Sequence, residues 1–275
     1  MRANLIAAVA AALPIALVCA VSVAHAAGGG GSARASIVGG AEAAPGTYPW
    51  MAFVAGSEEE VLFTCTGTVI APRIVLTAAH CTLNEESGAL EDAGTYSVVT
   101  GAVNWTSPER TVSSVEQLIP YPRYADKTSR NEFGDAALLV LKAPVSAPAI
   151  PLAQKPGFVR RGRHARIAGW GMTNIEQSVP TRSLMWTKTV VEGSPCEGLW
   201  GRVCIVDYPK FSSGACFGDS GGPLFAYHRK RKTWVQFGIT EGGFDSCTTR
   251  RPQIYTRTDL LAKWIKGQVA KIEGG

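Results

Sequence analysis

An all-β architecture, sandwich or barrel, with one terminal helix is the fold class the sequence predicts, on three observations. Short apolar runs recur between turn residues: YPWMAFVAG, LFTCTGTVIAP, RIVLTAAH, YSVVTGAV, AALLVLKAP, ARIAGWG, TKTVVE, PLFAY, TWVQFGI and QIYTRT. They are rich in β-branched and aromatic residues and too often broken by Gly or Pro to make helices. No internal repeat and no heptad pattern accompanies them. Only residues 258–272, TDLLAKWIKGQVAKI, space their apolar side chains as a helix does: Leu260, Leu261, Trp264, Ile265, Val269 and Ile272. Thr258 or Asp259 is the expected cap, and the apolar face should lie on the β core.

In chain order, the first element stands outside the fold. Arg2, an apolar run from Leu5 to Val23 and the triplet Ala24-His25-Ala26 make a secretory signal peptide, residues 1–26, cut after Ala26. The run is nearly long enough for an uncleaved membrane anchor, but the small-x-small site favours cleavage. Val18 before Cys19 argues against lipid attachment there. Residues 27–36, AGGGGSARAS, hold no core-forming side chain and read as a flexible linker or short pro-segment. The 239 of 275 residues after position 36 suffice for one large all-β unit or two small ones. None of their apolar runs is long enough to cross a membrane.

Six of the seven cysteines follow the signal: Cys65, Cys81, Cys196, Cys204, Cys216 and Cys247. An even number in an exported chain favours disulfides over metal ligands, with every pairing open at this stage. No spacing resembles a zinc site. The net charge of +5 has one dense cluster, His228-Arg229-Lys230-Arg231-Lys232. It stands between the strand-like LFAY and TWVQFGI and reads as a solvated hairpin tip, with polyanion or nucleic-acid binding as the alternative. The acidic loop with Glu85, Glu86, Glu91 and Asp92 reads as solvated rather than calcium-binding.

Candidate chemistry starts at CFGDSGGPL, residues 216–224, where Gly218, Gly221 and Gly222 let the backbone turn tightly around Ser220. A serine hydroxyl is a weak nucleophile near neutral pH and needs a positioned base with an acid behind it. Three histidines follow the signal. His164 lies among arginines at a solvent-facing strand start, and His228 belongs to the basic run. His80, in VLTAAHC, follows a strand and precedes a cysteine that could pin it. Asp135, in GDAALLVL, heads an apolar strand where a carboxylate needs a partner. On its own it fits a satisfied turn residue equally well.

IVGG at 37–40, LTAAHC at 76–81, DAALL at 135–139, GWG at 169–171 and GDSGGP at 218–223 together resemble the trypsin/chymotrypsin family of secreted serine endopeptidases, in that family's order of His, Asp and Ser. The likeness covers nearly all of residues 37–275. It implies two antiparallel six-stranded β-barrels with a C-terminal α-helix, the first barrel over about 37–150 and the second with the helix over about 151–275. It makes Ser220 the nucleophile, His80 the general acid/base and Asp135 the orienting carboxylate, in a cleft between the barrels. The amides of Gly218 and Ser220 would form the oxyanion hole. The implied disulfides are Cys65–Cys81, Cys196–Cys204 and Cys216–Cys247. Asp219 would pair with the amino terminus freed at Ile37, so the chain would be made as a weakly active zymogen. Ser36 precedes Ile37 and Arg34 stands two further back, so a cut after a basic residue does not produce Ile37 directly.

Two departures from the family pattern stand out. The substrate pocket, with Gly214, Ala215, Phe217, Glu241, Gly242, Gly243 and Gln253, has Gly214 where trypsin-like members carry an acid, which argues against selection for Arg or Lys. Gln253 replaces a glycine. Its side chain either fills the pocket base, favouring small or medium apolar residues, or recognises a polar one. Glu241-Gly242-Gly243 replaces the usual Ser-Trp-Gly. A glutamate beside Asp135 must be protonated, turned outward or balanced by a cation, and Gly242 removes an aromatic platform.

The expected activity is therefore peptide-bond hydrolysis with non-tryptic specificity in an extracellular enzyme that requires no cofactor or metal. The expected partners are peptide or protein substrates and proteinaceous protease inhibitors. Nucleic acid, stable membrane association after signal cleavage and oligomerisation are not expected. A binding protein that kept the fold and lost efficient turnover is the alternative. A lipase or esterase is disfavoured, because the G-x-S-x-G elbow is absent and the order of the three residues differs.

Overall fold

The structure is a computed structural model that describes residues 37–58, 61–84, 86–125, 133–173, 179–194, 196, 199–207, 210, 212–243, 247–248 and 251–274. The signal peptide and pro-segment expected over residues 1–36, and Glu85 of the acidic loop, lie outside the described residues. Among the described residues thirteen strands carry the fold: β1 (Ala41–Glu42), β2 (Met51–Glu58), β3 (Val61–Ala71), β4 (Ile74–Thr77), β5 (Ser97–Thr100), β6 (Thr111–Pro120), β7 (Ala137–Leu141), β8 (His164–Gly169), β9 (Met185–Gly193), β10 (Arg202–Val206), β11 (Pro223–His228), β12 (Thr233–Gly242) and β13 (Gln253–Arg257). A one-turn helix α1 (Pro122–Ala125) and the C-terminal α2 (Thr258–Glu273) complete it.

Strands β2-β3-β4-β7-β6-β5 close into one antiparallel barrel. Strands β8 to β13 form the second, in the order β9-β10-β13-β12-β11-β8, closed where β8 returns to β9. The short β1 adds to β9 through Ala41 and Glu42. Closure leaves neither barrel a long open edge. The apolar runs of the sequence supply the linings: every residue of β4, β7 and β10 is buried, and Val98, Val115, Leu118 and Leu139 meet inside the first barrel. The second barrel encloses Ile167, Val191, Val203, Ile205, Phe237 and Tyr255.

The barrels share a seam. Tyr48, Trp50, Met51, Phe53 and Val99 from the first half pack with Ala168, Trp170, Leu184 and Phe225 from the second. Inside it the Thr68 hydroxyl donates to Gln236 Oε1 at 2.7 Å, joining β3 to β12. A polar pair this deep is stable because both groups are satisfied.

Helix α2 buries Leu261 and Ile265 in the apolar cluster of the first barrel, with Trp264, Val269 and Ile272 packed against it. Leu260, expected on that face, is 37% exposed, at the edge of the stripe. The expected cap is not made either. Thr258 Oγ1 donates to the Gln236 carbonyl and Asp259 holds the Arg257 guanidinium, so tertiary partners take both side chains. The basic run does cap the β11–β12 hairpin, with residues 229–232 in the turn, and His164 starts β8 in solvent.

Candidate active site

The histidine segment leaves β4 buried and turns at once. Residues His80–Thr82 make a single 3-10 turn, held by Thr82 Oγ1 donating to the Ala79 carbonyl at 2.8 Å. The Cys65–Cys81 disulfide fastens the turn to β3. Asp135 arrives from the loop ahead of β7 and is 1% exposed. Its Oδ1 accepts the His80 backbone N–H at 2.9 Å and its Oδ2 lies 2.6 Å from His80 Nδ1. The carboxylate thus fixes both the position and the face of the imidazole, while the ring keeps 34% of its side-chain surface in solvent. The reading of Asp135 as an ordinary turn residue is not what the geometry shows, since both oxygens are directed at His80.

The serine loop comes from the second barrel and is held by the first. Thr66 on β3 donates its N–H to the Ser220 carbonyl at 2.8 Å and its hydroxyl to the Gly218 carbonyl at 2.9 Å. With both carbonyls engaged on that side, the Gly218 and Ser220 amides find no protein acceptor among the described residues. Gly221, at φ +79°, lies so close to Thr77 and to the Thr66 carbonyl that a β-carbon would collide with both. That close approach is what brings half-buried Ser220 to the segment just before His80. Among the described residues the Ser220 hydroxyl makes no hydrogen bond of its own; the tie between the two segments is through backbone.

Asp219 points the other way, into the protein. It is 2% exposed, and its oxygens accept the Gly171 and Cys216 N–H groups at 2.8 and 2.9 Å. Burial pushes its carboxyl up to about 7, against the pull of those two hydrogen bonds. Ile37 is fully buried in the second barrel's core, at φ +45°, a conformation that a β-branched residue adopts only under strain. Val38 accepts the Gly214 N–H at 3.1 Å, so the Ile37 segment and Asp219 grip the same 213–216 stretch from two sides.

The expected pocket residues come together. Gln253 is 1% exposed, and its Oε1 and Nε2 bond the Ala215 N–H and carbonyl, both at 2.8 Å. A β-carbon at Gly214 would sit 2.6 Å from Gln253 Nε2, and Gly243 lies against the same side chain. The glutamine amide is therefore spent on the backbone. Gly242 and Gly243 are exposed, and Phe217 stands 63% exposed at the rim. The other disulfides are Cys196–Cys204 and Cys216–Cys247, the latter clamping this region. Cys65, His80 and Cys81 are close enough to suggest a metal cluster, but the disulfide consumes the thiolates such a site would need.

Glu241 is balanced by a cation. Its Oε1 accepts Arg202 Nε at 2.6 Å and its Oε2 accepts the Thr256 hydroxyl at 2.7 Å. Burial raises its pKa and the Asp135 charge adds to the rise; Thr256 and Arg202 oppose it. Sequence reasoning did not find Arg202 or Thr66. Arg202 had a signal, a charge opening the otherwise apolar RVCIV, whereas a threonine among threonines on β3 had none.

Over residues 37–265 the chain matches the family model described as Trypsin. It is 29% identical over 238 residues to a chymotrypsin of Phaedon cochleariae, spanning 84% of this chain and 81% of that protein. Mast cell protease 2 of Meriones unguiculatus is 30% identical over 243 residues, 83% of this chain and 89% of its own. Transmembrane protease serine 5 of Homo sapiens is 31% identical over 242 residues, 83% of this chain and only 50% of the larger protein. Among the described residues no helix is long and apolar enough to cross a membrane.

Proposed function

Since the chain belongs to the trypsin family of serine proteases, we propose that it is a secreted endopeptidase that cuts peptide bonds through Ser220, His80 and Asp135. The observation that carries this reading is the two-point grip of Asp135 on His80, at the ring and at the backbone. Asp135 keeps the proton on Nδ1, so Nε2 can take the Ser220 proton as the hydroxyl attacks the scissile carbonyl. His80 then returns that proton to the leaving amine, and the acyl-enzyme is hydrolysed by a water activated in the same way. The charge that develops on the carbonyl oxygen is met by the Gly218 and Ser220 amides, which the Thr66 bonds leave unspent. Nucleophile–base contacts in unliganded sites of this chemistry are often long and tighten only with substrate, so an unbonded Ser220 hydroxyl is compatible with this role.

Primary specificity in this reading is for small or medium apolar residues. The Gln253 stem closes the pocket base, and no carboxylate stands at Gly214 to hold a cation. The test is labelling of protein starting at Ile37 with a fluorophosphonate, followed by intact mass. One adduct is expected, absent in Ser220→Ala. Folded protein that takes no adduct would point to a binding protein with a disabled site.

The Ile37 and Asp219 pair also gives a pH signature. In the uncut chain Asp219 keeps its proton to about pH 7, whereas the unfolded carboxyl loses it near the ordinary aspartate value of 3.8. Between those values the folded state binds more protons, so stability falls as pH rises through the window. A free ammonium at Ile37 would offset the buried charge and lower that pKa. The uncut chain should lose several degrees of Tm from pH 4 to 7 relative to the cut form, and Asp219→Asn should remove the difference. Parallel curves for cut and uncut protein would contradict the pairing.

A further inference from the structure

At the far end of β11 from Ser220, the second barrel carries a groove of about 1200 Å³. Ten of the residues lining it have basic side chains and none has an acidic one. Eight of the ten are Lys or Arg. Because the whole chain nets only +5, the rest of it sums to a negative charge, so the positive potential is concentrated here. The nearest acid on β9, Glu192, is already paired with Arg161 outside the groove. No residue of the candidate active site lines it, and β11 alone separates the two by about 20 Å.

The groove is built rather than merely charged. Arg166 is held between Trp186 and Trp234, 4.4 and 4.6 Å from their ring centres, and donates to the Tyr48 hydroxyl at 2.7 Å. Arg163 lies 4.7 Å over Phe158. Its Nε is buried with no hydrogen-bond partner, a donor that protein groups leave unsatisfied. Burial, with the nearby Arg160 charge, pushes the Arg163 pKa down. Exposed Arg229, Lys230 and Arg231 of the hairpin turn form the opposite lip.

We propose that this groove is an exosite for an anionic polysaccharide, whose sulfate esters are taken by the arginine forks. Guanidinium groups match tetrahedral oxyanions bidentately, and Arg outnumbers Lys in the lining. A single-stranded nucleic acid would seek free aromatic faces for its bases. Of the groove's Phe, Tyr and Trp rings, Phe158 and Trp234 are covered by arginines and Tyr227 alone is exposed, so successive bases find no stacking platform while charge is recognised. An acidic peptide offers carboxylates alone. The proposal is independent of catalytic activity.

The test is calorimetric titration of the folded protein at physiological ionic strength with a heparin-derived hexasaccharide, its desulfated counterpart, a thymidine dodecamer and an oligo-aspartate. The sulfated hexasaccharide should bind at one site, and the desulfated one should not. Replacing Arg229, Lys230 and Arg231 together by Ala should weaken binding at least tenfold with Tm unchanged, since all three are exposed. Arg163→Ala should weaken it by severalfold. Replacing exposed Arg110, Lys142 and Lys263 instead should leave it within twofold. Equal losses in the two triple variants, or tighter binding of the dodecamer or the oligo-aspartate, would overturn the proposal.

Discussion

Asp135→Asn is expected to lower kcat on a peptide substrate by about 10⁴-fold while leaving Tm within a few degrees. The carboxamide oxygen can still accept the His80 backbone N–H that Oδ1 now accepts at 2.9 Å. The amide nitrogen then faces Nδ1 at the place of Oδ2, where it donates instead of accepting. The imidazole is forced to carry its proton on Nε2 and can no longer take one from Ser220. The loss should appear in kcat and kcat/KM alike, because the interaction matters once His80 becomes charged. A loss below tenfold would mean that another group orients the ring and would remove Asp135 from the proposed triad.

Glu241→Ser, which restores the residue usual in the family, is expected to damage this protein. The carboxylate it deletes holds Arg202, whose residue is 9% exposed, and removing one partner of a buried pair is destabilising. Thr256 loses its acceptor as well. The Arg202 charge would then act on Asp135, which already interacts electrostatically with Glu241, and weaken its support of the His80 imidazolium. Lower Tm and lower kcat should therefore occur together. Arg202→Met combined with Glu241→Ser removes the cation along with the acid, and should recover part of the stability. A single variant as stable and active as the parent, or a double variant no better than the single, would show that the pair does not neutralise the departure.

These two expectations depend on different kinds of information. The Asp135 role follows from a resemblance carried by five short motifs, and the two-barrel arrangement follows from the same source, whereas the terminal helix is read from the spacing of its own apolar side chains. The expected damage from Glu241→Ser comes from Arg202, thirty-nine positions away in sequence. A glutamate at that position is readable from the chain alone; whether it is protonated, turned outward or paired is not. Gln253 behaves similarly. The sequence leaves open a pocket filler or a polar reader, and only the structure shows that both polar atoms of the amide are engaged by Ala215.

Alternation of apolar runs with turn residues, the cysteine count and the motifs around His80, Asp135 and Ser220 are local, and local patterns determine strand formation, fold class and candidate chemistry. Tertiary structure alone decided which cation meets Glu241, that Thr66 turns the serine loop's carbonyls away from the cleft, and that distant Arg160, Arg163 and Lys188 join the hairpin turn in one groove. The physical reason is common to all three. Burial makes an unpaired polar group costly, but its partner comes from whichever strand the barrel closure brings alongside, and closure is a property of the whole chain.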